Sequence, residues 1–344
     1  MKASYAHYTL HFRQPAGTSR GVLTNKETYF LKLEDEDMPG VFGLGECAVF
    51  RGLSADDVPA YEDKLRELCA NISADKETDL HEFPSIRFGL ETAINDFANG
   101  CRRQPFPSDF TEGMSAIPIN GLVWMGTKEE MLHRIDDKIK AGFTTIKLKV
   151  GAIDTESELD LVRHIRKVFP PEVLTIRLDA NGGFTPDNAL QKLSDFHSIE
   201  QPIKQGQWEA MRRICSESPI DIALDEELIG IHTPERMGEM LDAVRPKYII
   251  LKPSLIGGFS GSQDWIMQAA RRDIGGWVTS ALESNVGLNA IAQWTAQLGA
   301  RMPQGLGTGA LFTNNIGSPL EQVGEVLRFN PAKTWQLPEL DWRQ

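Results

Sequence analysis

Apolar and polar positions along the chain change rhythm near residue 110. Before that point, strand-like runs at Tyr5–Phe12 and Tyr29–Glu34 precede helix-period patterns from Asp56 to Ala70 and from Ser85 to Asn99, which predicts an α+β unit over residues 1–110. A polar, proline-containing stretch, Arg102-Arg103-Gln104-Pro105-Phe106-Pro107-Ser108, closes it. Short apolar runs then recur: Ala116–Ile119, Thr145–Val150, Leu174–Ala180, Phe196–Glu200, Asp221–Asp225, Tyr248–Lys252, Trp277–Ser280 and a weaker one near Gly305. Helix-start signals separate them. Thr127-x-x-Glu130 and Thr155-x-x-Glu158 read as capping boxes, Thr185-Pro186 and Thr233-Pro234 as an N-cap before a first-turn proline, and Gly142 as a helix stop. Repeated βα units of this kind predict an α/β fold, a (β/α)8 barrel over residues 111–315. The loop-rich segment 316–344 is expected to return to the N-terminal unit.

Composition narrows the class. Among 344 residues, 41% are hydrophobic and 24% charged, the balance of an ordinary globular protein. Acidic residues outnumber basic ones 48 to 36, a net charge of -12, with no Lys/Arg cluster to follow a phosphate backbone, so no nucleic-acid partner is expected. No apolar run reaches the ~18 residues of a membrane span, and Met1–His7 does not resemble a signal peptide, which predicts a cytoplasmic protein without a membrane partner. Cys47, Cys69, Cys101 and Cys215 form no C-x-x-C pair and read as free thiols. The seven histidines and Trp124, Trp208, Trp265 and Trp294 read as packing or surface groups.

The candidate chemistry lies at the strand ends. Strands of a parallel barrel are covered on both faces and should be almost purely apolar, yet five successive ones here carry charge at their ends: Lys147 and Lys149, Asp179, Glu200, Asp225, and Lys252. With period 2, Lys147 and Lys149 share one face. Three carboxylates meeting at the barrel mouth would repel one another without a cation, and oxygen donors with neither His nor Cys favour Mg²⁺ or Mn²⁺. Such an ion stabilises the enediolate formed when a proton leaves the carbon beside a carboxylate. The base could be a lysine driven toward neutrality by a neighbouring ammonium, a layout that Lys147 and Lys149 provide.

At these residues the chain resembles the enolase superfamily, which uses a Lys or His base with Mg²⁺. The resemblance extends over an N-terminal α+β capping domain, a modified barrel and a C-terminal return. It implies that Asp179, Glu200 and Asp225 are metal ligands, that Lys149 abstracts the proton with Lys147 as its electrostatic neighbour, and that Lys252 faces it across the substrate. Lysines on the second and sixth strands are those of the muconate lactonising enzymes, dipeptide epimerases and o-succinylbenzoate synthases. Thr279-Ser280-Ala281-Leu282-Glu283-Ser284 lacks the histidine of the mandelate racemase type, and Gln304–Ala310 lacks the acids that epimerases and muconate lactonising enzymes place there. Pro118-Ile119-Asn120-Gly121-Leu122, Leu251–Gly258 and Ser280–Ser284 are similar to the o-succinylbenzoate synthases.

That similarity implies syn dehydration of 2-succinyl-6-hydroxy-2,4-cyclohexadiene-1-carboxylate to o-succinylbenzoate, a step of menaquinone biosynthesis. An N-acylamino-acid racemase or dipeptide epimerase using the same lysines is the alternative. For the substrate, a small-molecule carboxylate, the candidate contacts are Asn120, Ser280, Arg20 in Gly17–Arg20, Arg51 in Phe50–Ser54, and the backbone N–H groups near Ser284, Asn285 and Gly287 at a helix start. Asn181 and Glu226 are expected behind the metal ligands.

Overall fold

The computed structural model describes residues 1–18, 21–38, 40–150, 160, 163, 165–189 and 196–344. Arg20 and the Thr155–Glu158 box lie outside them. β1 (Lys2–Thr18), β2 (Gly21–Glu34) and β3 (Phe42–Cys47) form an antiparallel sheet in that order. Tyr29, Leu31 and Leu33 face one way, onto the helices Tyr61–Ser73 and Pro84–Ala98. Phe30 and Leu44 face the other, onto Val286 and Ile316. With both faces covered, the centre of β2 is a near-continuous apolar run rather than an alternating one. The first helix starts at Tyr61, later than the expected Asp56, because Asp56 has another use: its Oδ2 accepts from Ser85 N–H (2.8 Å) and Oγ (2.7 Å), in the first turn of the next helix.

Seven parallel strands follow in chain order: β5 (Gly121–Val123), β6 (Thr145–Lys149), β7 (Thr175–Asp179), β8 (Ser198–Glu200), β9 (Asp221–Leu224), β10 (Tyr248–Leu251) and β11 (Gly275–Val278). The weak eighth run survives as a two-residue stitch between the edges, where Ile119 pairs with Gln304 and Thr279 with Gly305, both parallel. Asn120 N–H donates to Gln304 O (3.0 Å) and Ser280 N–H to Gly305 O (3.1 Å). One expectation is corrected. The run Ala116–Ile119 is not the first barrel strand: β4 (Ala116–Pro118) pairs antiparallel with β13 (Val326–Phe329), itself paired with β12 (Leu320–Val323). Pro118 has no N–H for a central ladder, so barrel pairing begins beyond it, with Ile119 against Gln304 and then, from Gly121, against β6.

Outward side chains such as Ile146, Leu148, Ile176, Leu178, Ile199 and Ile222 join the main core. Inside the barrel, Ala223, Ile250 and Trp277 form a plug, with the Arg177 guanidinium 4.1 Å over the Trp277 ring. The Thr127–Glu130 capping box is formed, Thr233 caps the helix that Pro234 opens, and Gly142 has positive φ (86°) after the helix Lys128–Lys140. At the C-terminus, Tyr5 and Arg343 exchange backbone hydrogen bonds (2.9 and 2.8 Å), and Trp335, Leu337, Leu340 and Trp342 pack around Phe30 and Leu44. All four cysteines are free, Cys47 and Cys69 buried and the other two partly so. Among the described residues, no helix is long and apolar enough to cross a membrane.

Candidate active site

Register brings the charged strand ends together. Lys149 of β6 stands opposite Asp179 of β7, and Asp179 opposite Glu200 of β8; Asp225 follows β9 and Lys252 follows β10. Five neighbouring strands thus present Lys, Asp, Glu, Asp, Lys in a row, with Lys147 one step deeper. Lys147 Nζ donates to both Glu200 oxygens (2.7 Å each) and lies 2.8 Å from Asp179 Oδ2. Lys149 Nζ donates to Asp179 Oδ2 (2.5 Å) and Asn181 Oδ1 (2.8 Å), while Lys252 donates to Asp225. Lys147, Asp179, Glu200, Asp225 and Lys252 are all buried.

Burial works against every one of these charges, and their neighbours decide the outcome. Burial lowers the Lys149 ammonium below its ordinary value, with Lys147 and Lys252 adding to the push and Asp179 opposing. Lys147 and Lys252 go the other way: burial would lower them, but carboxylates outweigh it, Asp179 and Glu200 most for Lys147 and Asp225 for Lys252. Asp179 and Asp225 are held below the usual carboxylate range because the lysines outweigh burial. Glu200 is pushed well above it, by burial first and then by Asp179, despite its two contacts from Lys147. Crowded by Asp179 and Asp225, the buried Glu200 is short of positive charge even with the Lys147 ammonium against both of its oxygens.

Asp179, Glu200 and Asp225 offer only hard carboxylate oxygens, the donor chemistry that suits a divalent cation. As they stand, no three His, Cys, Asp or Glu side chains among the described residues are arranged to hold an ion; the carboxylate oxygens accept from lysines instead. The lysine contacts would have to loosen for an ion to enter. Asn181 and Glu226 support the row: Asn181 N–H donates to Asp179 Oδ1 (3.0 Å), and its Nδ2 to Glu226 Oε1 (3.0 Å).

Above the row opens a pocket of roughly 680 Å³, its solvent-open mouth included. Lys147, Lys149, Lys252 and Asn181 form its polar floor, and Asn120, Thr279, Ser280 and Thr308 its side. Asn120 Oδ1 is buried and accepts no hydrogen bond among the described residues. Ser280 is there too, but its hydroxyl already donates to Glu283 Oε2 (2.5 Å). Three expectations are corrected. The N–H groups of Ser284 and Gly287 are taken by Glu46 of β3 (2.8 Å each) and that of Asn285 by Asn315 Oδ1 (2.8 Å), so this helix start is closed to a substrate carboxylate. Arg51 turns away to Glu27 (2.9 Å) and Asp57 (2.8 Å); from its loop, Phe50 and Leu53 face the pocket instead. Trp124, read as packing, lines the pocket with Leu23 and Leu122. No local pattern marks these apolar wall residues, because loops become walls only through long-range packing.

The family model of the enolase C-terminal domain-like family matches residues 130–319. The o-succinylbenzoate synthase of Desulfotalea psychrophila is 46% identical over 366 residues, covering 95% of this chain and 98% of that one. The chain belongs to the enolase superfamily. The crystal structure of MenC from Desulfotalea psychrophila superposes with a TM-score of 0.85 at 42% identity, over 95% of this chain and 99% of that one. The L-Ala-D/L-Glu epimerase of Bacillus subtilis, at 20% identity and a TM-score of 0.80 over 96% of both chains, shares the fold. Membership gives the chain an α/β fold with a (β/α)8 barrel and the superfamily's use of a divalent metal.

Proposed function

We infer that this enzyme is a hydro-lyase that converts 2-succinyl-6-hydroxy-2,4-cyclohexadiene-1-carboxylate to o-succinylbenzoate, for menaquinone biosynthesis. One observation carries the reading: the Lys-Asp-Glu-Asp-Lys row across five strand ends, with an amine on each flank of three carboxylates. The Desulfotalea psychrophila relative, which bears the name of this activity, supports it over its epimerase rivals. Asp179, Glu200 and Asp225 would hold Mg²⁺. When bound, the cation would stabilise negative charge on the substrate carboxylate.

The chain's own residues do the rest. Lys149, the one lysine of the three lowered from its ordinary value, takes the ring proton beside the carboxylate with its neutral amine. The C–H electrons pass first into the substrate carboxylate as an enediolate, then return to form the new ring double bond as the C–O bond breaks, and Lys149 gives the proton to the hydroxyl, which leaves as water from the same face. Lys147 keeps Asp179 and Glu200 in place. Lys252, raised by Asp225, stays an ammonium on the opposite flank, where a contact with the ring face contributes about 0.5 to 2 kcal/mol. Asn120 is placed to meet a donor on the substrate, and Ser280 to line its path. In this reading residues 1–110 cap the mouth, 111–315 form the catalytic barrel and 316–344 bind back to the cap. The enzyme works in the cytoplasm on a small soluble carboxylate.

An assay of the cyclohexadiene carboxylate with and without EDTA tests the reading. Dehydration should stop with EDTA, return with Mg²⁺, and fall by about 10² to 10⁴ in Lys149→Ala. Dehydration indifferent to both changes overturns it. Exchange of the α-proton of an N-acylamino acid or dipeptide in D₂O, without dehydration, would assign the site to a racemase or epimerase.

A further inference from the structure

We propose that Lys26 is a positioning residue for this reaction: buried without a hydrogen bond in the field of Glu46 and Glu283, it balances the charges that join the N-terminal sheet to the two loops that carry Lys252 and Ser280. The proposal rests on the dehydration reading, and on none of its metal-ligand assignments.

Glu283 is the hub. Its Oε1 accepts from Ser254 Oγ (2.5 Å), and its Oε2 from Ser280 Oγ (2.5 Å) and Ala281 N–H (2.8 Å). Ser254 is two residues beyond Lys252, and Leu255, Ser280, Ala281 and Leu282 all line the pocket. One carboxylate therefore clamps the ends of β10 and β11 together. Glu46 is its counterpart on the N-terminal sheet. Glu46 Oε1 accepts from Thr28 Oγ1 (2.9 Å) and Ser284 N–H (2.8 Å), and Oε2 from Ser284 Oγ (2.5 Å) and Gly287 N–H (2.8 Å).

Lys26 lies on the same face of β2 as Thr28. Its side chain is buried, and among the described residues its Nζ makes no hydrogen bond. The opposing charges that act on it are those of Glu46 and Glu283, while burial pulls its ammonium below the ordinary value. A buried cation without hydrogen bonds persists only in the field of nearby anions, and those anions in turn need the cation. Without Lys26, two carboxylates confront each other across the interface, and the one that yields carries Ser254 and Ser280 with it.

The experiment compares Lys26→Met with Tyr8→Phe, which removes a different tie, the Tyr8 Oη donation to Asn314 O (2.8 Å). In Lys26→Met, kcat should fall about tenfold with KM within about twofold, and the primary deuterium isotope effect on kcat should rise because the chemical step is slowed. Tyr8→Phe should keep kcat and the isotope effect even at an equal loss of melting temperature. Adding Glu283→Gln to Lys26→Met removes the facing charge and should restore kcat by about threefold or more. An equal kcat in Lys26→Met and wild type, or a double variant with purely additive losses, overturns the proposal. Glu283→Gln alone has a single acceptor oxygen for Ser254 and Ser280, so a wild-type kcat there overturns it whether or not Lys26→Met folds. The two readings fail separately. A wild-type enzyme that does not dehydrate the substrate sinks the function; an active one indifferent to these changes sinks the role of Lys26.

Discussion

Asn181 shows how one residue serves several groups at once. Immediately past β7, it adopts a left-handed backbone (φ 44°), a conformation that Asn tolerates better than most residues. That turn sends its N–H to Asp179, its amide oxygen to Lys149 and its amide nitrogen to Glu226. Asn181→Gly keeps the backbone angle accessible and removes only the amide. Its kcat should fall by about 10- to 100-fold, the usual cost of losing a group that orients a ligand or base, while steady-state kinetics beside circular dichroism melting show a fold left intact. Wild-type kcat in this variant would mean that Lys149 is positioned without it.

Each element sorts its residues by period. On β6 and β7 the even positions Ile146, Leu148, Ile176 and Leu178 enter the core around the barrel, and the odd positions Lys147, Lys149, Arg177 and Asp179 turn inward. On the N-terminal sheet the helix Pro84–Ala98 lies so close to β3 that a Cβ on Gly45 would come 1.9 Å from Gly89 O. Backbone cannot yield like a flexible side chain, so Gly45→Ala must push helix and strand apart. The expected loss is roughly 1 to 3 kcal/mol, read as a lower urea midpoint at unchanged slope. The helix Asn285–Gln297 gives a complementary case, since Glu46 neutralises the positive end that would otherwise draw a substrate anion.

At the scale of the molecule, the barrel, the N-terminal unit and the C-terminal tail interlock. Gln304 and Gly305 close the ring, Arg343 anchors on Tyr5, and Glu91 from the helix Pro84–Ala98 accepts from Phe259 N–H (2.6 Å) in the first turn of Gly258–Ala270. A cation binding only the folded chain adds stability by mass action, about 2.7 kcal/mol at a hundredfold excess over its Kd. Mg²⁺ should therefore raise the melting temperature of wild type, and Glu200→Gln should lose that response. A differential scan in EDTA and in Mg²⁺ reads both, and a wild-type curve blind to Mg²⁺ would argue against the ion without reference to turnover.

Much of the charged row was legible in the amino-acid order, because neighbouring parallel strands follow one another along the chain and side chains alternate with period 2. Lys149, Asp179, Glu200, Asp225 and Lys252 could be aligned from those two local regularities. What remained hidden depends on contacts between distant segments. Pro118 reads as part of an apolar run until its missing N–H meets a ladder, and Ser284, Asn285 and Arg51 look available until Glu46, Asn315, Glu27 and Asp57 reach them. Lys26 has no distinguishing pattern at all, yet tertiary packing buries it in the field of carboxylates from two parts of the chain. Local sequence decides which face a residue occupies; only the folded chain decides what already waits on that face.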